Sequence, residues 1–188
     1  MRSISIILLA VLAMIAVSAC SQSKSKVSME KKKAIVVYFS ATGTTRQAAE
    51  QLARIAGADL CEIVPMQPYT SDDLNWNDKR SRSSVEMANP QARPAVKAIG
   101  INLKQYDCVF LGYPIWWELA PRVVNTFIET YDMTGMTVIP FATSGGSGIA
   151  GSVSALKKAY PALQWKEGCL LHSPHEKSIR AWLDKLAY

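Results

Sequence analysis

No stretch of this chain carries the marks of metal chemistry or nucleic-acid binding. Its 188 residues hold two histidines and four cysteines, with no zinc-finger spacing among them. The G-x-x-x-x-G-K-[ST] loop of nucleoside-triphosphate enzymes is missing, and its Lys with it, which excludes ATP or GTP held in that manner. No apolar run reaches the roughly 20 residues that a bilayer crossing takes; Ile6 to Val17 stops short. The formal charge of +6 suggests nucleic acid, yet Lys24, Lys26, Lys31, Lys32 and Lys33 all precede the first strand as a basic tail. The remainder has no RNA-binding motif and no basic amphipathic helix. What is present is ordinary globular material, 49% hydrophobic and 19% charged, enough for one domain with a full core.

The N-terminus reads as a targeting segment. Arg2 gives a positive start, Ile6 to Val17 an apolar core, and Val17-Ser18-Ala19-Cys20 a small-residue end. Small residues before a Cys resemble the bacterial lipobox, which implies cleavage after residue 19 and lipidation of Cys20; an ordinary signal peptide cut after Ala19 is the alternative. Acyl chains contribute about 0.8 kcal/mol per buried methylene, so a multiply acylated Cys20 is a durable anchor. Residues 20–32 form a Ser- and Lys-rich tether, and 33–188 the folded domain. Ser21 does not look like an inner-membrane retention signal, so the expected location is the outer membrane or cell surface.

The chain is organised around Ser40-Ala41-Thr42-Gly43-Thr44-Thr45, between the apolar run Ala34 to Phe39 and the helical pattern Arg46 to Ile55. A strand, a turn of small hydroxyl residues and a helix together aim backbone N–H groups at an anion. The first N–H groups of a helix lack partners and its dipole adds about half a positive charge, so phosphate can be held without Lys or Arg. Ser40, Thr42, Thr44 and Thr45 add hydroxyl donors, and Gly43 permits close approach. The competing reading is that Ser40 or Thr42 merely caps the helix.

Further along, Asp59 to Val64 reads as a second strand, ended by Pro65. Met66 to Pro94 is polar, broken by Pro68, Pro90 and Pro94, and carries Trp76; it is expected to border the site, with a short helix around Asp72 to Arg82. Tyr106 to Gly112 is a buried strand running into Tyr113-Pro114-Ile115-Trp116-Trp117-Glu118. Pro121 opens a helix through Thr130. Met136 to Ala142 is a fourth strand, followed by Thr143-Ser144-Gly145-Gly146-Ser147-Gly148 and a helix to Tyr160; Trp165 to Leu171 is a fifth strand and Glu176 to Leu186 a closing helix. This repeated alternation predicts a three-layer, doubly wound α/β fold with a five-stranded parallel sheet. Its ligands sit beyond the carboxyl ends of the strands, where strand order reverses. The hydroxyl, aromatic and glycine loops would there enclose a phosphate monoester joined to a planar aromatic system.

Tyr38 to Thr45 (YFSATGTT), Gly112 to Trp117 (GYPIWW) and Thr143 to Gly148 (TSGGSG) resemble the flavodoxin family, in particular its short-chain branch. The resemblance, covering Lys33 to the C-terminus, implies a sheet of order 2-1-3-4-5 and flavin mononucleotide (FMN) as ligand. It places the phosphate on Ser40, Thr42, Gly43, Thr44 and Thr45, and the isoalloxazine beside Tyr113, Pro114, Ile115, Trp116 and Trp117. Ser144, Gly145, Gly146, Ser147 and Gly148 would line the ring's far edge. Glu118 departs from the Gly that many relatives carry after the paired tryptophans; pointing inward, its charge disfavours the reduced flavin anion. The chain is also basic where electron-carrying flavodoxins are typically acidic.

Gly146 to Gly151 matches G-x-G-x-x-G, but after the fourth strand and with no acidic residue about 20 positions on, which speaks against a dinucleotide fingerprint. In the implied order the strands carrying Cys61, Cys108 and Cys169 are not neighbours. At about 4.8 Å per strand step they lie beyond the roughly 4.4 to 6.8 Å that a disulfide needs, so three buried thiols and no metal site are expected. His172 and His175 read as a surface turn, or as proton donors near the flavin. The expected function is an FMN-dependent oxidoreductase, moving electrons from a reduced nicotinamide or a protein donor to a small acceptor such as a quinone, with no catalytic side chain named. The alternatives are a flavodoxin-type electron carrier and a flavin-free binding lipoprotein.

Overall fold

A strand of five buried residues, β1 (Ala34–Tyr38), lies inside the sheet, second from one edge. The computed structural model describes residues 32–172 and 175–186; the expected signal segment, Cys20 and most of the expected tether lie outside them. After β1 come α1 (Thr44–Ala56), β2 (Asp59–Glu62), α2 (Arg82–Ala88), β3 (Cys108–Pro114), α3 (Arg122–Thr130) and β4 (Thr137–Thr143). The chain then continues through α4 (Ala150–Ala159), β5 (Gln164–Trp165), β6 (Cys169–Leu170) and α5 (Glu176–Lys185). Every pairing is parallel, in the order β2-β1-β3-β4-β5, with β6 also on β4. This is the expected 2-1-3-4-5 sheet.

Burial on both faces follows from the period of two along each strand. Ile35, Val37, Val109, Leu111 and Val138 meet Val123, Val124, Phe127 and Leu156 of α3 and α4 on one face. Val36, Tyr38, Phe110, Ile139 and Phe141 meet α1 and α5 on the other. Each large side chain so buried contributes about 1.5–3 kcal/mol. Helix α1 lies close because its inner stripe is Ala48, Ala49, Leu52, Ala53 and Ala56, nearly all small, and Trp182 of α5 packs edge-on against Phe110, centroids 5.8 Å apart. Gly112 admits no side chain: a Cβ there would lie 2.1 Å from Cζ of Phe141.

Two elements differ from expectation. The fifth strand is broken, its halves pairing with Thr137–Val138 and with Phe141–Ala142 of β4. Pro140 stands opposite the break and has no N–H to offer a neighbour; Gly168 passes close by, where an added Cβ would come within 3.1 Å of the Pro140 carbonyl oxygen. The short helix expected around Asp72 to Arg82 begins at Arg82 instead. Before it, Thr70, Asn75 and Asp78 side chains bond nearby backbone N–H groups and hold the segment in turns. Among the described residues, no helix is long and apolar enough to cross a membrane, and no group of His, Cys, Asp or Glu is placed to hold a metal ion. Cys61, Cys108 and Cys169 are free thiols, the first two buried and the third half-buried.

Candidate functional site

β1 is followed in sequence by β2 on one side and in space by β3 on the other, so the loops leaving the carboxyl ends of β1 and β3 part company. A cleft of about 790 Å³ opens there. Its residues come from all three loops singled out in the sequence: Thr42, Thr44 and Thr45; Pro114, Ile115, Trp116 and Trp117; Ser144, Gly145 and Ser147.

The anion end is built by α1. Gly43 takes a φ of 92°, which turns the chain into the helix without a Cβ penalty, and α1 has neither a side-chain cap nor an acidic residue in its first turn. Ser40 Oγ accepts from the Gly43 N–H at 3.1 Å, closing the turn before the helix and leaving the helical N–H groups uncapped. The Thr45 hydroxyl, almost wholly buried, is engaged by Thr143 at 2.7 Å. Thr42 and Thr44 are exposed at the cleft. Uncapped N–H groups, two open hydroxyls and a positive helix end form a donor set that fits a phosphate dianion.

The aromatic wall is built in layers. Trp116 meets Phe39 at 5.6 Å and Tyr69 at 5.3 Å, both edge-on. The Arg82 guanidinium lies 4.1 Å above the Tyr69 ring and binds Glu86 at 2.6 Å and the Gln67 carbonyl at 2.8 Å. Tyr69 donates its hydroxyl to Glu86; burial first, then that carboxylate, pushes the phenol well above its usual range. Arg122 donates to the carbonyls of Met87 and Glu86 at the end of α2. The Met66 to Pro94 segment is thus bolted behind Trp116, as its length suggested, and it brings Leu74, Trp76 and Ser83 to the cleft.

Trp117 and Glu118 have φ values of 46° and 62°. They are the central pair of a reversal closed by reciprocal Trp116–Leu119 backbone bonds of 2.9 Å each. Positive φ at two successive non-glycine residues costs of order 1–3 kcal/mol each and persists only where the surroundings impose it. Ser147 donates its hydroxyl to the Glu118 carboxylate, joining the aromatic and glycine loops. Ser144 Oγ in turn accepts from the N–H groups of Gly146 and Ser147.

One expected site residue turns away. Tyr113 is fully buried in the core, its hydroxyl 3.2 Å from Ser152 Oγ, and burial pushes that hydroxyl's pKa up to about 12. The strand alternation that sends Pro114 toward the cleft sends Tyr113 under α4. Ser40, Gly43, Gly146 and Gly148 shape the loops without lining the cleft, whereas Ala41, Glu118, Thr143 and His172 do line it. His172 therefore belongs to the cleft rim, and His175 to the start of α5. The pairing of β6 with β4 brings His172 there, in keeping with the second of its two sequence readings, a place near the ligand.

A doubly wound sheet with an open helix end and an aromatic wall at the switch point defines an α/β protein built for a phosphate-bearing planar ligand. The flavodoxin family model matches residues 33–186, and the chain belongs to that family. Among solved structures, it is 61% identical to a protein from Bacteroides eggerthii assigned as a flavoprotein, covering 84% of this chain and 99% of that one at a TM-score of 0.82. A second such protein, from Bacteroides uniformis, is 46% identical over 81% and 98% of the two chains at 0.79. The Lactobacillus acidophilus flavoprotein solved in complex with FMN shares the fold, at 20% identity, 84% and 99% coverage and a TM-score of 0.65. No curated protein matches the chain.

Proposed function

We propose that this chain is an FMN-dependent oxidoreductase, tethered to a membrane through lipidated Cys20, that takes electrons from a reduced nicotinamide or a protein donor and delivers them to a small acceptor. The observation that carries this is the uncapped start of α1, opening with Thr42 and Thr44 into the same cleft as Trp116 and Trp117. Membership of the flavodoxin family supports FMN as the ligand.

Thr42, Thr44 and the first N–H groups of α1 hold the phosphate, with no cation in the loop to compete for it. The Ile115 N–H is held by the Thr143 carbonyl at 2.9 Å, which fixes Pro114 to Trp116 as one rigid edge for the ring. Tyr69 and Phe39 lock the Trp116 rotamer, and the Glu118–Ser147 bond keeps the aromatic and glycine loops at a fixed separation. FMN held there would supply two-electron redox chemistry between the donor and the acceptor.

The test is FMN titration of the domain lacking its signal segment. The chain should take up FMN and keep it through desalting, and the Thr42→Ala/Thr44→Ala variant should bind at least tenfold more weakly, as expected from losing two hydrogen bonds to a charged group at roughly 1.5–3 kcal/mol each. Unchanged affinity in the double variant would remove the phosphate assignment. A colourless protein that takes up no FMN would remove the oxidoreductase reading and leave the binding-lipoprotein alternative. For the anchor, metabolic labelling with a radiolabelled fatty acid should mark the full chain and not its Cys20→Ser variant.

A further inference from the structure

We propose that the cleft wall carrying Trp76 is the subsite for a neutral, planar aromatic electron acceptor of the quinone class. The inference rests on the FMN reading above and names the acceptor.

Trp76 lines the cleft from the Met66 to Pro94 segment, on an element separate from the aromatic loop, and is 72% exposed. Trp117 lines the same cleft at 47% exposure. Trp116, by contrast, is enclosed by Phe39 and Tyr69 and belongs to the wall itself. Two open indoles on different elements of one cleft offer large flat apolar area that water covers poorly. One of them, on the loop after β3, stands where the isoalloxazine is expected; Trp76 is left for a second ring.

The backbone that presents Trp76 is not loose. The Thr70 N–H bonds Asp73 at 2.9 Å, the Ser83 N–H the Asp73 carbonyl at 2.9 Å, and the Asn77 N–H the Asn75 side chain at 3.1 Å. Those bonds from Thr70 also hold the Asp73 carboxyl below its usual range. An exposed indole on a braced turn has already given up the backbone freedom that binding would otherwise cost.

Charge selects the acceptor. Among the cleft-lining residues the ionisable ones are Glu118 and His172, and there is no Lys or Arg. The open start of α1 is taken by the cofactor's phosphate. An anionic acceptor would meet the Glu118 carboxylate with no cation beside it, whereas a neutral ring meets indole faces. The overall step balances as one quinone, one reduced nicotinamide and one proton from water giving one quinol and one oxidised nicotinamide, the hydride carrying both electrons.

The experiment is calorimetric titration of the oxidised, FMN-loaded protein with menadione, and separately with anthraquinone sulfonate as a planar anion, in wild type, Trp76→Ala and Trp76→Phe. Trp76→Ala should weaken menadione binding roughly tenfold, as expected for loss of a stacked aromatic face and its buried area. Trp76→Phe should restore most of it, all three proteins should bind FMN alike, and the sulfonate should bind wild type more weakly than menadione. Unchanged menadione affinity in Trp76→Ala overturns the proposal. So does a parallel loss of FMN affinity, which would place Trp76 on the flavin, or tighter binding of the sulfonate. A wild type that takes up no FMN overturns the underlying reading and this proposal with it.

Discussion

Thr45 Oγ1 lies 2.7 Å from Thr143 Oγ1, across 98 residues of sequence. Thr45 belongs to the first turn of α1 and Thr143 to the carboxyl end of β4, so this one bond ties the anion end of the cleft to the strand that carries the glycine loop. Both residues are buried. Replacing Thr45 by Val keeps the shape and strands the Thr143 hydroxyl, at an expected cost of about 1–3 kcal/mol. Urea denaturation checks this, and the Thr45→Val/Thr143→Val pair should lose less than the sum of the singles.

Gly112 in β3 has the Phe141 ring where its Cβ would be, with ring atoms at 2.1 and 2.6 Å. Phe141 is fully buried and cannot swing away. Gly112→Ala should therefore destabilise the domain by about 1–3 kcal/mol or more through overpacking. Adding Phe141→Leu should recover part of that loss, which thermal denaturation of the single and double variants will show.

Glu118 sits at a φ of 62° where Gly is unstrained. Glu118→Ala and Glu118→Gly both remove the carboxylate and its bond to Ser147, so their difference isolates the backbone. The Gly variant should be the more stable by about 1–2 kcal/mol. With FMN bound, both variants should show a raised midpoint potential, because an anion that disfavours the reduced flavin has gone. Equal stability of the Ala and Gly variants would mean that the reversal relaxes without strain.

Arg93 pairs with Glu129 through both carboxylate oxygens, at 2.7 and 2.8 Å. Arg93 foremost, and Tyr160 less, hold the Glu129 carboxyl below its ordinary value of 4.5. A group depressed on folding adds stability above its unfolded value, and that stability fades as pH falls through the lower folded value. Arg93→Gln should thus cost stability near neutral pH, by about 0.2–1 kcal/mol for a pair this exposed. The difference from wild type should shrink below about pH 4, which melting curves across that range test.

The repeated strand-and-helix pattern, the parallel sheet and the three ligand loops were legible from residues alone, while the order 2-1-3-4-5 came from the resemblance of the three motifs to the flavodoxin family. Each rests on local chemistry: the buried run Ala34 to Phe39, the hydroxyl turn before α1, the aromatic residues after β3. A period of two or of 3.6 and a turn's composition are properties of neighbours in sequence. The membership of Thr42, Thr44, Trp116, Trp117 and Ser147 in one cleft followed once the strands were taken as parallel.

What stayed hidden depended on partners far along the chain. Nothing near Tyr113 in sequence says that its hydroxyl pairs with Ser152, so its adjacency to Pro114 made it look like a site residue. The break between β5 and β6 arises opposite Pro140, more than 20 residues earlier. The segment carrying Trp76 was expected at the site, but the means were not: Arg82, Tyr69 and Glu86 fasten it behind Trp116, and the pairing of β6 with β4 brings His172 to the rim. Composition and spacing thus determined the elements and the kind of ligand that they face. The tertiary structure decided which side chains are spent on holding loops together and which are left open to the cleft, because burial and hydrogen-bond partnership are set by residues that meet only when the sheet forms.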